Sequence, residues 1–450
     1  MPPADTGTRA ATRVLAIYNL GGRLRGPAAV TYSLARHFDL GRFAGHVQAT
    51  ASLLPQMTAW ARFEPGQLRL ASGPFAVRVG RAAAALAITP RRDGLLFLDV
   101  ELAGEPGAAE VAEFLYATWR WRSELRVGDT PLLDWLTGRL GQVRADEDGP
   151  LTFGQNLHQC VFAGGRLARE LLRRNRKAGT ISPGVITVVL RGTMSARRGT
   201  DLGIRRPTAL NNPGETMVAH GRGVSLMAGW AEPVENAFGI AAAGLVNAAG
   251  VVSRVRLESL DALRDNETSR AKSPPDLREL IEGLSDRLDR LRLDLSFGIE
   301  AYADVVLVPE LLVESYHSSL RRMAGLPESV ANTSRIVDRV AAIIDSRHAS
   351  LAAAIQEHEE RRDKIFAGAI AIGTLLALPP ALLLAYFGTN STNVNQNLSI
   401  FDLRQYGLAY LAAWLPFLAL VGGAAIMRRR VRLDAPRWRR PEGRGPDKNA

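Results

Sequence analysis

The chain has 450 residues, enough for two or three domains with cores of their own, and a single-domain reading is excluded on size. Its formal charge of +11 is partly local, because the stretch from Arg428 to Ala450 holds nine basic residues against Asp434, Glu442 and Asp447; what remains marks no basic stripe, so no nucleic-acid partner is expected. The lone cysteine, Cys160, excludes an internal disulfide and a cysteine-only metal site, which fits a reducing compartment.

In chain order, Val14 to Tyr18 is a short apolar run broken by Asn19 and Gly21, which reads as a first strand and not as a signal peptide. Gln67 to Leu70, Phe75 to Val79 and Leu95 to Val100 are further β-like runs, and Ala109 to Leu125 is a helix, so residues 1–143 form a cytoplasmic α/β domain. Arg144 to Pro150, with three consecutive acids and Gly-Pro, reads as a linker. Residues 151–263 form a second α/β unit or the remainder of the same sheet. Asn156 to Arg174 is expected to be helical, and Val185 to Leu190, Thr216 to Trp230 and Val251 to Leu257 to be strands.

Chemistry is sparse in this region. Gly221 and Gly223 flank Arg222 without the glycine spacing of a dinucleotide site, and no Gly-Lys-Ser or Gly-Lys-Thr occurs. His158 and Cys160 could both touch a metal, but without a second pair nearby a packed helix face is the simpler account, and His317 beside Tyr316 reads as a packing residue. No catalytic constellation is visible, so the expectation is a protein that is not an enzyme and has no cofactor.

Arg264 to Pro275 is a second linker. In residues 275–328, Leu277, Ile281, Leu284, Leu288, Leu291 and Leu295 alternate steps of four and three, a coiled-coil-like seam. Residues 329–364 form a stalk helix, with Val337, Val340, Ile344, Leu351, Ala354, His358 and Ile365 in one stripe and no glycine or proline to stop it. Ile365 to Phe387 and Tyr406 to Met427 are charge-free runs of 23 and 22 residues, each long enough to cross a bilayer. Residues 365–427 thus read as a two-helix membrane hairpin.

Arg361, Arg362 and Lys364 precede the first run and Arg428, Arg429 and Arg430 follow the second, which places both termini in the cytoplasm and the loop outside the cell membrane. Tyr386, Tyr406 and Tyr410 suit the interfacial belt, Pro379 and Pro380 break the first helix, and the basic tail 428–450 has anionic lipid headgroups as its partner. The fold class is therefore α+β, an α/β-type cytoplasmic region followed by a helical stalk and a transmembrane hairpin.

Antiparallel helices, a long helix feeding the first span, a short outer loop and a basic end resemble the CorA-type magnesium channel superfamily. The sharper match is Tyr386-Phe387-Gly388-Thr389-Asn390, where the family carries an aromatic residue before Gly-Met-Asn, with Pro379 nine residues before Gly388 like the family's proline. The resemblance covers about Pro275 to Arg430. It implies a homo-oligomer, a pentamer, with the first span lining the pore, so that Thr374, Leu378 and Ala381 become pore-lining candidates and Gly388, Thr389 and Asn390 the filter. Asn390 would contact a metal ion, Mg²⁺ or another divalent cation, through its water shell. Thr389 departs from the family's methionine, and Ala381 stands where a hydroxyl would help a hydrated ion. The expected function is a divalent-cation channel or transporter with a cytoplasmic regulatory domain. The alternative is a membrane-anchored sensor or effector whose hairpin does not transport Mg²⁺ constitutively.

Overall fold

The computed structural model describes residues 10–25, 33–49, 54–140, 144–145, 150–175, 181–193, 203–268, 274–296, 311–389, 399 and 401–433. Two compact units are present, divided between His348 and Ala349.

The first unit is built on one large mixed sheet. Its strands are β1 (Thr12–Arg25), β2 (Gln56–Phe63), β4 (Val79–Ile88), β5 (Asp93–Leu102), β8 (Arg144–Ala145), β9 (Phe153–Ala163), β10 (Met217–Gly221) and β11 (Val224–Ala228), in the order β10-β11-β9-β1-β5-β4-β2, with β8 paired to the end of β1. All pairings are antiparallel except β9 with β11. Short strands β3 (Leu68–Leu70), β6 (Leu125–Val127) and β7 (Thr130–Pro131) form a separate small sheet. The strands of residues 151–263 thus complete the sheet begun by residues 1–143, the second of the two arrangements expected. The stretch expected as a linker contributes β8.

Both faces of the sheet are covered, which is why β1 reads as a continuous apolar run and not as an alternation. Val14, Ala16 and Tyr18 share a core with Val111 and Leu115 of α3 (Ala108–Arg120), Leu167 and Leu171 of α5 (Gly165–Arg174) and Val188 of α6 (Pro183–Val189), the short helices α1 (Leu34–His37), α2 (Ala44–Ala49) and α4 (Leu132–Leu140) completing this part of the chain. Leu15 and Asn19 point the other way, onto α7 (Glu232–Thr268). That helix approaches so closely that a Cβ on Gly239 would lie 2.7 Å from the Leu15 side chain, and one on Gly250 2.5 Å from that of Asn19. α7 also packs against α8 (Pro274–Leu295) and α9 (Leu311–Met323). Ile281, Leu284, Leu288 and Leu291 of the expected seam are buried, so that seam is the packing face of α8.

Several expectations are corrected. Asn156 to Ala163 is strand, and only Gly165–Arg174 of that stretch is helix. Val185 to Leu190 belongs to helix α6, whose start is set by Ser182 accepting from the Val185 amide and by Pro183 in the first turn. Val251 to Leu257 lies inside α7, and of Phe75 to Val79 only Val79 is in a strand. Thr216 to Trp230 does contain strands, the β10–β11 hairpin.

Helix α10 (Leu326–Thr389) follows the positive-φ Gly325 that ends α9, and α11 (Leu403–Leu433) comes last. The α10 stripe is buried at Val337, Val340 and Ile344, but Ala354, His358 and Ile365 are exposed, so it packs only in the first unit.

Two helices among the described residues are long and apolar enough to cross a membrane, Glu232–Asp265 and Leu326–Ala385. The apolar window of the first is 78% buried, as a core helix requires, and that of the second only 6%. In α11 the leucines Leu403, Leu408, Leu411, Leu415 and Leu418 are exposed.

A buried ion cluster ties α8 to the sheet. Asp294 has a fully buried carboxylate that accepts from Arg23, from Arg91 Nε at 2.8 Å and from Arg254 at 3.3 Å. Arg254 also pairs with Asp93, which sits opposite Arg23 across the β1–β5 pair. On the same face of the sheet Arg13 grips Asp99 with two hydrogen bonds of 2.7 and 2.8 Å and donates to Asn236 of α7 at 2.7 Å.

Candidate functional site

A cleft of about 460 Å³ opens in the first unit where several elements meet. Its polar wall comes from the end of α3 (Trp119), the start of β9 (Asn156, His158), the turn after α6 (Arg191), the β10–β11 turn (Arg222) and α7 (Arg256). Its floor is apolar, made by Leu245, Val246, Ala249 and Val252 on one side of α7, and the first turn of α10 closes one end through Leu326 and Ser329. Among the described residues, no aspartate or glutamate lines it.

Each arginine is placed by local structure. Arg191 sits at φ +54°, a left-handed conformation that costs a non-glycine residue energy and that the α6 C-terminal turn imposes. Its guanidinium stacks on Trp119 at 4.8 Å from the ring centre and donates to Gln159 Oε1 at 2.7 Å and to the Gly223 carbonyl at 2.9 Å. Burial without a carboxylate pulls its pKa down to about 10. Arg222 occupies the two-residue hairpin turn with Gly223, whose φ of +109° explains the glycine, and it is exposed. Arg256 holds the start of α10 through the Ser329 carbonyl and Thr333 Oγ1, both at 3.3 Å, while its buried Nε has no partner.

Behind the cleft lies a polar network. His158 Nε2 meets Ser225 Oγ at 2.8 Å, Tyr316 of α9 donates to the same oxygen at 2.8 Å, and Cys160 lies 4.0 Å from the Tyr316 hydroxyl. His220 pairs with Ser319 at 2.8 Å. Burial drives the His158 pKa down to about 3 and that of His220 to about 4, keeping both neutral, and lifts the Cys160 thiol to about 12. His158 and Cys160 do share a face, but of strand β9 and not of a helix, and they face α9. Ser225 is fully buried, and the Tyr316–Ser225 hydrogen bond anchors α9 to the sheet.

The sign of the pH dependence follows from these shifts. Below the ordinary histidine value near 6.5 the unfolded chain takes up protons that His158 and His220 refuse in the fold, so stability is full above that pH and falls as pH drops toward 4. Denaturation of the first unit, followed by urea-induced loss of hydrogen-exchange protection, is expected to show a loss of about 1 kcal/mol per histidine between pH 6 and pH 5. A His158→Gln variant should flatten this slope.

Of the residues singled out in the sequence, Thr374, Leu378 and Ala381 lie exposed on α10, and Thr374 returns its hydroxyl to the Ile370 carbonyl at 2.9 Å. Pro379 and Pro380 lie inside the helix, which continues through them, and Gly388 and Thr389 end it. Asn390 lies outside the described residues, as does the tail beyond 433. Arg361 pairs with Glu357 and Lys364 with Glu360, one turn back on α10, and Arg362 lies beside them on the same helix. Arg428, Arg429 and Arg430 are in α11. Tyr406 is buried. Comparison of the chain with protein-family models, curated proteins and solved structures gives no match. The cleft arginines were not found from sequence, because they are scattered between residues 191 and 256 with no periodicity; the Gly-Arg-Gly of the hairpin was the one visible signal.

Proposed function

We propose that the chain is an integral membrane protein, an oligomeric divalent-cation channel or transporter of CorA-like type, whose first unit is its cytoplasmic regulatory domain. The observation that carries this reading is the single helix α10, which leaves the first unit and runs without interruption through a charge-free stretch to Gly388 and Thr389, with Ile365, Phe366, Ile372 and Leu384 exposed. Apolar surface of this extent calls for lipid or a partner helix. A hydrated cation would meet amide and backbone oxygens at Gly388-Thr389-Asn390, the kind of ligand that suits the water shell of Mg²⁺.

A second reading, a membrane-anchored sensor or effector, is favoured by Thr389 in the place of methionine and by Ala381, which leave the first span with few groups to assist a hydrated ion. Divalent-cation flux into proteoliposomes separates the two. The channel reading expects flux in the parent that Asn390→Ala reduces by at least tenfold. Flux in Thr389→Met alone would identify a pore scaffold turned to another use, and silence in parent and both variants would leave the sensor reading.

A further inference from the structure

We infer that the arginine-lined cleft of the first unit binds a small, soluble, multiply charged phosphorylated ligand, and that the ligand's contact with Arg256 reaches the first turns of α10. This goes beyond the reading of the hairpin and does not depend on it.

Three arginines, Arg191, Arg222 and Arg256, line the cleft, with no carboxylate beside them among the described residues. On the α7 face of the sheet, by contrast, Arg13 pairs with Asp99, and Arg23, Arg91 and Arg254 with Asp294. A second cleft, of about 490 Å³, has Asp134 as well as Arg120 and Arg122 in its lining. A largely buried guanidinium such as Arg191, held by two neutral oxygens and a ring face, keeps much of its desolvation cost until an anion arrives.

The geometry favours phosphate over a lone carboxylate. Arginine forks match phosphate oxygens with paired hydrogen bonds, and three of them can share the two or more charges of a diphosphate or phosphomonoester. Arg222 makes no hydrogen bond or ion pair among the described residues and stands exposed at the rim, available to the ligand without rearrangement. Arg256 Nε is buried without a partner, a donor in need of an acceptor. His158, neutral through burial, adds no competing charge. The α7 floor is apolar, the Asn156 amide and Ser253 hydroxyl stand together at 3.2 Å beside it, and the volume falls in the ordinary range of small-molecule sites, so the ligand has an uncharged body as well as its anionic end.

Arg256 is the link to α10. Its two bonds to Ser329 and Thr333 are long, at 3.3 Å, and a phosphate competing for the same guanidinium loosens or re-aims the start of the helix that goes on to carry the apolar stretch.

The test uses the full-length protein in phosphatidylcholine nanodiscs, titrated calorimetrically with inorganic pyrophosphate, the anionic end alone. Binding in the millimolar range or tighter is expected, weakened at least tenfold by Arg222→Ala, with the thermal transition of that variant unchanged because Arg222 holds nothing in the fold. Hydrogen exchange at residues 326–333 should change on pyrophosphate addition in the parent, and that change should be lost in Arg256→Gln. No heat at millimolar pyrophosphate, or binding untouched by Arg222→Ala, would overturn the site. Nanodiscs containing phosphatidylglycerol form the control: if they abolish pyrophosphate binding, the cleft takes lipid headgroups and the soluble ligand is excluded.

Discussion

Asp294→Ala is expected to destabilise the first unit by about 3–5 kcal/mol, because removing one partner from a buried ion cluster strands the others. Arg23, Arg91 and Arg254 converge on this carboxylate, whose side chain has no exposure at all; without it Arg254 keeps Asp93 and Glu258, while Arg23 and Arg91 lose the carboxylate that both grip. Truncation leaves charged groups buried without a counterion, and water admitted to them would part α8 from the sheet edge. Pulse proteolysis of the full-length protein in urea measures the effect, with the midpoint moving to much lower denaturant. Asp294→Asn, which keeps the shape and two hydrogen-bond positions, should recover only part of the loss. A midpoint unchanged in Asp294→Ala would mean that the arginines are solvated and the cluster is not a structural clamp.

Phe238→Ala is expected to cost a similar amount, about 3–5 kcal/mol, for a different reason: it empties the middle of the core. Phe238 is fully buried on α7, with its ring centre 4.7 Å from that of Tyr316 and 5.5 Å from that of Trp230. Its loss removes an aromatic contact between α7 and α9 beside Tyr316, whose hydroxyl bonds Ser225 beneath the cleft. The same measurement distinguishes a core helix from a membrane span. If α7 crossed a bilayer, Phe238→Ala would leave the proteolysis midpoint of the first unit nearly unchanged; as the helix that covers the sheet, it should lower that midpoint as far as Asp294→Ala does.

What could be read in the sequence divides along physical lines. β1 and β5 were legible because a strand buried on both faces leaves an uninterrupted apolar run, and the apolar stretches of α10 and α11 because length and lack of charge need no tertiary context. α6 was misread because Ile186, Thr187, Val188 and Val189 are β-branched, although Ser182 and Pro183 carried the helix-start signal. β9 was misread as helix from Asn156 to Ala163 because Asn156, His158 and Gln159 broke the apolar pattern of a buried strand; their polarity serves the cleft and the network behind it. α7 was missed as a unit because its glycines and alanines, which allow the close approach to Leu15 and Asn19, look like turn and strand punctuation when the partner sheet is unknown. The cleft itself depends on residues brought together from 119 to 329, a proximity that only the folded sheet creates.

The burial of α7 also bears on how the chain is made. With a mean hydropathy of 1.5 over its apolar window, this helix has the length and composition that membrane-insertion machinery selects. Every strand of the large sheet precedes it in the sequence, so when α7 leaves the ribosome its docking surface has already been synthesised. The order of synthesis thus gives the sheet a head start on the helix that covers it: strands that pair before α7 is complete offer Gly239 and Gly250 a surface to close against as soon as the helix forms.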